Sequence, residues 1–340
     1  MAPTHNTMIG YTANLPTTDP DAFEARTADI PNPAPGELLV RVEAVSVNPV
    51  DVKQRAGSPA NGFRVLGYDA AGVVEAVGDD VSAFAPGDEV YYAGSIGRPG
   101  SNQRFQLVEA RLVGHKPSSV SFGEAASLPL TAITAWEAVF DRLEIAPDAR
   151  GDLLVVGASG GVGSVLLQLV RARAPHVRLI ATAGAANADW VRSMGAHEVV
   201  DHKDDLAAQV LGLAPGGVDW VFTSHSHAQE ELYARFVRPF GKVVAIDDGP
   251  RDVAPLKGKS IGWLWELMFT DPLHLPTSQH QHWILDQVAA LVDAGTVHPT
   301  VTDDLGPLSP DSLRRAHAAV ESGRTVGKIV LSGWDEELLA

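Results

Sequence analysis

Apolar and polar residues follow three different patterns along the chain. Over the first 120 residues, short stretches alternate between apolar and polar positions and are separated by Gly, Pro and Asp turns, as in ELLVRVEAVSV over residues 37–47. Strict alternation predicts half-buried strands, and short strands at this spacing are typical of a small barrel or sandwich. We therefore predict that the first part of the chain is a β domain.

The pattern changes between Ser121 and about residue 247. Ser121 with Glu124 three residues later forms a capping-box pattern, which predicts a helix start. From Gly151 onward, five apolar strands alternate with amphipathic helices: LLVVG, VRLIATA, HEVVD, VDWVFT and KVVAID are the strands. This alternation predicts an α/β fold with a doubly wound, mostly parallel sheet and right-handed crossovers.

The last 70 residues form a third, mixed region. A helical stripe over 282–294 ends at Gly295, a second over 311–322 ends at Gly323, and TVGKIVL is a final strand. We therefore predict two domains, of which one is built from two segments, 1–125 and 272–340. The other is a nucleotide-binding domain over 126–271.

Composition narrows the possible chemistry. The 340 residues contain no cysteine, so disulfides, cysteine nucleophiles and thiolate zinc sites are excluded. The net charge of −16 disfavours nucleic acid and anionic membranes as partners. The N-terminus lacks the pattern of a signal peptide, and the uncharged run over 153–170 contains four glycines. We expect a cytoplasmic protein that does not enter a membrane.

The strongest chemical signal is a glycine-rich loop between a strand and a helix. It reads Gly157-Ala158-Ser159-Gly160-Gly161-Val162-Gly163 and follows the strand 153–156. Glycines at this place let the backbone approach a pyrophosphate, which is then bound at the helix N-terminus. The alternative is a tight strand–helix turn, but that does not account for four glycines in seven positions. We therefore predict a dinucleotide site.

The end of the next strand indicates which dinucleotide binds. An NAD site usually places Asp or Glu there, on the ribose hydroxyls. This chain instead has Ala181, Thr182, Ala183 and Gly184, without an acid. The pattern therefore favours NADPH, with Arg192, His202 or a residue of the C-terminal tail as the partner of the 2′-phosphate.

Three segments together resemble a known family: VSVNPVDVKQRAG (45–57), LGYDAAGVVEAVG (66–78) and the ASGGVG loop. They resemble the medium-chain dehydrogenase/reductase superfamily in its quinone oxidoreductase branch. IGWLWELMF suggests the subgroup labelled zinc-type alcohol dehydrogenase-like. The resemblance covers nearly the whole chain and implies a Rossmann domain with a GroES-like β-barrel catalytic domain.

The positions of the family's zinc ligands hold unsuitable residues here. The resemblance places them at Asn48, at Tyr68 within Gly67-Tyr68-Asp69, and near Leu130, so we expect no metal. It implies a zinc-independent, NADPH-dependent reductase that transfers hydride to a quinone or an α,β-unsaturated carbonyl. Two alternatives stay open, namely a zinc-dependent alcohol dehydrogenase and a non-catalytic NADPH-binding structural or sensor protein.

The resemblance also assigns catalytic candidates. Asn48 is expected near the substrate carbonyl, where its amide could donate to an oxyanion, or else it is a turn residue before a proline. Tyr68 is expected to point into the cleft, either as a proton or hydrogen-bond donor or as an aromatic wall. Asp51 is expected to orient its neighbours. Lys53 occupies a position where many quinone reductases have tyrosine.

Further residues are assigned to the cofactor, the substrate pocket and the subunit interface. Trp263 and Phe269 are expected either to line a flat substrate pocket or to pack in the core or at a dimer interface, and the resemblance implies a homodimer formed through that region. The glycine-rich loop, Thr182 and Ala183 are already cofactor candidates, and the resemblance adds further ones. Near the nicotinamide half these are Thr134, Ser224, Ile246 and Asp247, and near the adenosine it is His202. Arg324 and Lys328 are expected either to bind the phosphates or to lie solvated on the surface.

Overall fold

The computed structural model describes residues 4–57 and 62–339, and these residues separate into two units. Unit 1 groups the chain up to Ile133 with Phe269–Gly295 and with the residues from Pro299 onward. Unit 2 contains Thr134–Met268 and Thr296–His298. The predicted boundaries at 125/126 and 271/272 therefore differ from the observed ones, and residues 296–298 return to unit 2.

The elements are numbered in chain order. The strands are β1 (Asn6–Tyr11), β2 (Glu24–Ala28), β3 (Glu37–Val47), β4 (Arg64–Val65), β5 (Ala70–Val77), β6 (Glu89–Tyr92), β7 (Phe105–Glu109), β8 (Val113–His115), β9 (Gly151–Val156), β10 (Val177–Thr182), β11 (Glu198–Val200), β12 (Val218–Thr223), β13 (Val237–Ala245), β14 (Gly262–Trp265), β15 (Val301–Asp304) and β16 (Lys328–Ser332). The helices are α1 (Pro49–Gly57), α2 (Phe122–Ala126), α3 (Pro129–Trp136), α4 (Gly161–Arg173), α5 (Ala188–Ser193), α6 (Leu206–Leu213), α7 (Glu230–Phe236), α8 (Thr270–His274), α9 (His280–Asp293) and α10 (Pro310–Glu321).

Unit 1 is built around the long strand β3. One sheet has the order β15-β16-β3-β5-β6-β8, with β7 also paired to β3, and a second has the order β2-β1-β4. Strand β3 is antiparallel to β5 and β16, so the end of β3 lies beside the start of each of these strands. This convergence brings residues distant in sequence together. The strand-rich first part was predicted, whereas helix α1 directly after β3 was not.

Unit 2 has the predicted doubly wound sheet. Its parallel strands follow the order β11-β10-β9-β12-β13-β14. Strand β9 is central, and Leu154 pairs with Ile180 on one side and Val221 on the other, all fully buried. Chain order reverses on the two sides of β9, and ligands of such sheets bind beyond the carboxyl end of the strand at this switch point. The glycine-rich loop begins there.

Several helix ends follow the local sequence signals. Ser121 Oγ accepts from the backbone of Glu124, whose carboxylate accepts from the backbone of Ser121, which confirms the predicted capping box before α2. Helix α9 begins at His280, two positions before the predicted start, and α10 begins at Pro310 after a second capping box at Ser309. The predicted start of α10 was residue 311. Pro310 at the first helical position explains the start one residue earlier, because the fixed φ of proline suits a helix N-terminus.

The uncharged run over 153–170 is divided between a strand and a helix. Residues up to Val156 belong to β9, and residues from Gly161 belong to α4. Among the residues that the structure describes, no helix has both the length and the apolar character needed to cross a membrane.

A buried histidine in α10 makes the stability of unit 1 sensitive to acid. His317 is fully buried against the ring of Phe23, and neither ring nitrogen has a hydrogen-bond partner. Burial, helped by the charge of Arg55, lowers the pKa of His317 to about 3. Because the unfolded chain binds a proton near pH 6.5 and the folded chain does not, the folded state loses stability as pH falls below about 6.5.

We expect His317→Leu to remove this acid sensitivity. At pH 5 the variant should be more stable than the wild type by about 2 kcal/mol, and the difference should shrink at pH 8. Urea unfolding at both pH values measures it, with His227→Leu as the control because His227 is exposed. Equal pH dependence in the wild type and His317→Leu would contradict the assignment.

Candidate functional site

A buried ion pair lies where three strand ends of unit 1 converge. The Lys328 ammonium, on β16, lies 3.1 Å from Asp69 Oδ2, just before β5. It also donates to Asn48 Oδ1 and, over 3.3 Å, to the carbonyl of Val47. The Asn48 amide Nδ2 donates to the same Asp69 oxygen over 2.8 Å. Exposure of Asn48, Asp69 and Lys328 is 1%, 0% and 3%, so water does not replace these contacts.

Asp51 joins this group from the first turn of α1. Its two carboxylate oxygens accept the backbone N–H groups of Asn48, over 2.8 Å, and Gly67, over 3.0 Å. Asp51 therefore holds the end of β3 against the segment that leads into Tyr68. We call Asn48, Asp51, Asp69 and Lys328 the buried charge cluster. The expected orienting role of Asp51 agrees with these contacts.

The cluster contains two carboxylates and one ammonium in a space closed to water. Burial raises the pKa of Asp69, while Lys328 and the hydrogen bonds from Asn48 and from the backbone of Leu130 oppose this shift. Burial raises the pKa of Asp51 to about 7, and its two backbone donors oppose the rise. The ammonium of Lys328 therefore opposes the rise that burial causes in the pKa of Asp69. Asp51, whose pKa is about 7, is a carboxyl group of the cluster that titrates near neutral pH.

Two expectations from the sequence need correction here. Lys328 was expected to bind cofactor phosphates or to lie solvated on the surface. In the structure it is buried, and its three N–H groups have three acceptors within unit 1. Asn48 was expected to donate to a substrate oxyanion, but its Nδ2 donates to Asp69 and, over 3.4 Å, to the carbonyl of Ser46. Both side chains are thus committed to the cluster.

Tyr68 lies next to the cluster and packs against Phe269. The two rings meet edge to face with centroids 5.5 Å apart, and exposure is 1% for Tyr68 and 2% for Phe269. Burial raises the pKa of Tyr68 to about 12, so the phenol is protonated at neutral pH. The contact favours the aromatic-wall alternative for Tyr68 and the packing alternative for Phe269. Lys53, in contrast, is exposed on α1.

The residues present do not fit a zinc ion. Tyr68 and Leu130 occupy two of the positions matched to zinc ligands, and Asn48 and Asp69 already bind an ammonium. Within residues 4–57 and 62–339, no group of three or more His, Cys, Asp or Glu side chains could hold a metal. A bound zinc would have to displace Lys328 and would find only hard oxygen donors, whereas zinc sites in proteins use mainly nitrogen and sulfur.

The glycine-rich loop of unit 2 has the geometry of an anion site. Gly157 has φ +80°, and a Cβ there would lie 2.1 Å from Ser224 Oγ, so only glycine fits. A Cβ on Gly163 would lie 2.6 Å from the backbone of Ala158. Helix α4 begins at Gly161 without a side-chain cap, which leaves its first N–H groups available to a ligand.

Side chains beyond the loop hold it in place. Gly157 N donates to Thr182 Oγ1 over 3.1 Å, which ties the loop to the end of β10. Asn187 Nδ2 lies 3.4 Å from Ser159 Oγ, and Trp190 Nε1 donates to Ser164 Oγ on α4 over 2.8 Å. Thr182 and Ala183 are both 3% exposed. Thr182 therefore positions the loop through its side-chain hydroxyl, a role that the sequence did not indicate.

A clamp that the sequence analysis missed fixes the loops after β12 and β13. The Arg251 guanidinium donates to Ser226 Oγ over 2.8 Å and to Asp247 Oδ2 over 2.7 Å. Asp247 also accepts from Ser226, from its N–H over 2.8 Å and its hydroxyl over 2.7 Å. Ser224 and Ile246 lie beside these residues at the carboxyl edge of the sheet. The Arg251 side chain is only 2% exposed, and no local motif signals this contact.

The remaining cofactor candidates differ in their surroundings. His202 is exposed and lies beside the end of β10, since a Cβ on Gly184 would be 3.9 Å from its ring. Thr134 is 6% exposed and belongs to α3. Arg324 is exposed in the turn after α10. The structure thus brings the loop, Thr182, Ala183, Ser224, His202, Ile246 and Asp247 to one edge of the sheet in unit 2.

Trp263 packs into unit 2. It lies against the core between the sheet and α7 and stacks on Tyr233 with centroids 6.4 Å apart. The packing alternative therefore replaces the assignment of Trp263 to a substrate pocket, because its ring packs against the hydrophobic core of unit 2. Trp263 belongs to unit 2 and Phe269 to unit 1.

Comparison with known proteins shows which family these two units represent. The alcohol dehydrogenase GroES-like domain family matches residues 34–133, and the zinc-binding dehydrogenase family matches residues 194–331. The chain is 37% identical over 334 residues to a zinc-type alcohol dehydrogenase-like protein of Staphylococcus epidermidis. The matched region covers 95% of this chain and 98% of that protein. The chain belongs to the medium-chain dehydrogenase/reductase superfamily.

Two further similarities place this chain among the oxidoreductases of that superfamily. It is 30% identical to the human mitochondrial NAD(P)H oxidoreductase RTN4IP1, over 88% of this chain and 82% of that protein. A crystal structure from Rhizobium etli CFN 42, described as a "putative zinc-dependent alcohol dehydrogenase protein", is 44% identical. It superposes with a TM-score of 0.93 over 98% of this chain and 99% of that one. The fold is therefore a Rossmann NAD(P)-binding unit with a GroES-like unit.

Substitutions in the glycine-rich loop separate folding from ligand binding. We expect Gly157→Ala to lower both stability and dinucleotide affinity, because an L-residue at positive φ costs about 1–2 kcal/mol and its Cβ meets Ser224. Gly160→Ala should leave stability unchanged, since φ is −75° and the nearest atom lies 3.5 Å away. We expect it nonetheless to weaken dinucleotide binding, because a glycine in this loop allows the close approach of a pyrophosphate to the backbone and a methyl group there hinders it.

Calorimetric titration with NADPH and thermal melting measure the two effects. Gly212→Ala on α6 is the control, because a Cβ there contacts nothing within 4 Å. Unchanged NADPH affinity in Gly160→Ala would show that the pyrophosphate does not approach this loop.

Proposed function

We propose that the protein is a zinc-independent, NADPH-dependent reductase of quinones or α,β-unsaturated carbonyl compounds. The observation that carries the proposal is the Lys328 ammonium, which binds the oxygens of Asn48 and Asp69. These two residues lie in the segments that the resemblance matches to zinc-ligand segments of the family. Without a Lewis acid, oxidation of an ordinary alcohol is slow. Acceptors that are already electrophilic need only a hydrogen bond to polarise their carbonyl.

Bound NADPH would supply a hydride to the acceptor, and the residues of this chain would orient both partners. The loop at 157–163 and the N-terminus of α4 would bind the pyrophosphate through backbone N–H groups. Backbone dipoles suit a chain whose net charge is −16, because few cations are needed to bind a polyanion. One proton from solvent or a side chain would complete the reduction.

The residues at the end of β10 support NADPH as the cofactor. No acid follows Thr182 directly, and His202 lies beside Gly184 at this end of the strand. Asp201 is 4.0 Å from His202, and its Oδ1 accepts from the backbone of Lys203. An imidazole that can donate to a phosphate fits the 2′-phosphate better than it fits two ribose hydroxyls. Arg324 is a further candidate for this phosphate.

The homodimer is also a proposal. Strand β14 is an edge strand of the sheet in unit 2. Trp265, its last residue, is 47% exposed, and Leu267, two positions later, is 53% exposed. An unpaired edge with exposed apolar side chains is a surface that a second copy could extend. Cytoplasmic location stays a prediction.

The first test is turnover by the purified protein. We expect it to oxidise NADPH in the presence of at least one member of a panel of quinones and enones. Zinc measured by mass spectrometry should be far below one ion per chain, and chelator treatment should leave the rate unchanged. Stoichiometric zinc with chelator-sensitive alcohol oxidation would favour the zinc-dependent alternative, and NADPH binding without turnover would favour the non-catalytic one.

The second test concerns cofactor choice. Isothermal titration should show NADPH binding about tenfold or more tightly than NADH, since one charge-assisted hydrogen bond contributes about 1.5–3 kcal/mol. His202→Ala should reduce this preference by lowering the affinity for NADPH alone. His176→Ala is the control, because His176 is exposed and precedes β10 at the amino end of the strand. Equal affinity for both cofactors in the wild type would refute the assignment.

A further inference from the structure

We propose that Lys328 is a positioning residue for the reaction, whose buried ammonium holds Asn48, Asp69 and the start of α3 in one fixed arrangement. The proposal rests on the proposed function for its catalytic readout. It assigns Lys328 to the catalytic unit, whereas the sequence analysis assigned it to the cofactor phosphates or to the surface. When Lys328 is replaced, the phosphate role predicts a lowered affinity for NADPH, whereas the positioning role predicts an unchanged affinity.

The ammonium sets the orientation of the Asn48 amide. Asn48 Oδ1 faces Lys328, while its Nδ2 donates to Asp69 Oδ2 over 2.8 Å. Rotation of the amide by 180° would direct its N–H groups at the ammonium and its oxygen at the carboxylate, so both contacts would become repulsive. A neutral residue at position 328 would remove the contact to Asn48 Oδ1, which is one of the two contacts that favour this orientation of the amide.

The same charge fixes the beginning of α3. Asp69 Oδ1 accepts from the backbone N–H of Leu130 over 2.7 Å, while Asp69 Oδ2 faces Lys328. Loss of the ammonium would leave a fully buried carboxylate without a counter-ion, which must then take up a proton or move toward water. Either response changes the contacts to Asn48 and Leu130 together.

A second buried lysine in unit 1 provides a matched control. The Lys116 side chain is 4% exposed, as is that of Lys328. Its ammonium donates to the carbonyls of Pro117 and Val120 and lies 3.0 Å from Glu89. Lys116 follows β8 and belongs to no candidate site. Lys116→Ala should therefore lower stability as Lys328→Ala does, without the catalytic effect.

The experiment compares Lys328→Ala, Lys328→Met and Lys116→Ala. We expect Lys328→Ala to lower kcat by about 10- to 100-fold, the range that small misplacements of positioned groups produce, with NADPH affinity unchanged. Methylammonium chloride should restore kcat in a saturable way, because the cavity left by the lysine admits a small cation with N–H donors. Potassium chloride at equal ionic strength should not. Lys328→Met fills the cavity and should resist rescue, and Lys116→Ala should keep the wild-type kcat.

Several results would overturn the proposal. These are an unchanged kcat in Lys328→Ala, an equal loss in Lys116→Ala, equal rescue by potassium chloride, or a lowered NADPH affinity, which would restore the phosphate role. If Lys328→Ala does not fold, Lys328→Met tests the proposal instead. A lowered kcat with unchanged NADPH affinity would support the positioning role, and an unchanged kcat or a lowered NADPH affinity would refute it. If the wild type reduces no acceptor, the proposed function is refuted, but the arrangement around Lys328 can still be tested through the melting temperature.

Methylammonium should then raise the melting temperature of Lys328→Ala and not that of Lys328→Met. An equal response of both variants would refute the positioning role.

Discussion

The contact between Lys328 and Asp69 is the interaction on which the chemistry of unit 1 depends. A carboxylate and an ammonium that are both out of reach of water cost several kcal/mol each unless their partners are well placed. Here the ammonium has three oxygen acceptors, and Asp69 has donors on both of its oxygens. The pair can be this well satisfied only because β3, β5 and β16 end or begin at the same point.

The two units meet their electrostatic requirements in different ways. Unit 2 offers backbone N–H groups at a glycine-rich helix start, which suits a polyanionic ligand in an acidic chain. Unit 1 places a side-chain cation, the Lys328 ammonium, among buried oxygens. The names of similar proteins refer to zinc. The oxygens of Asn48 and Asp69 in this chain are instead arranged around an ammonium, so shared ancestry does not imply a shared Lewis acid.

Sequence periodicity was sufficient for the α/β class, the parallel sheet and the glycine-rich loop, because each of these depends on neighbours in the chain. It could not show the Asp69–Lys328 pair, whose members are separated by 259 positions and meet only through the pairing of β16 with β3. One signal was present, since a lysine within the apolar strand TVGKIVL needs a buried partner. The Arg251 clamp and the packing of Trp263 likewise depend on tertiary contacts that local pattern does not encode.

The most direct test of this account is anomalous diffraction at the zinc edge from crystals of the wild-type protein grown with excess zinc. The account predicts no anomalous peak between Asn48 and Asp69, and electron density for Lys328 Nζ within hydrogen-bond distance of Asp69 Oδ2. A zinc peak at that position, with the Lys328 side chain displaced from Asp69, would contradict it.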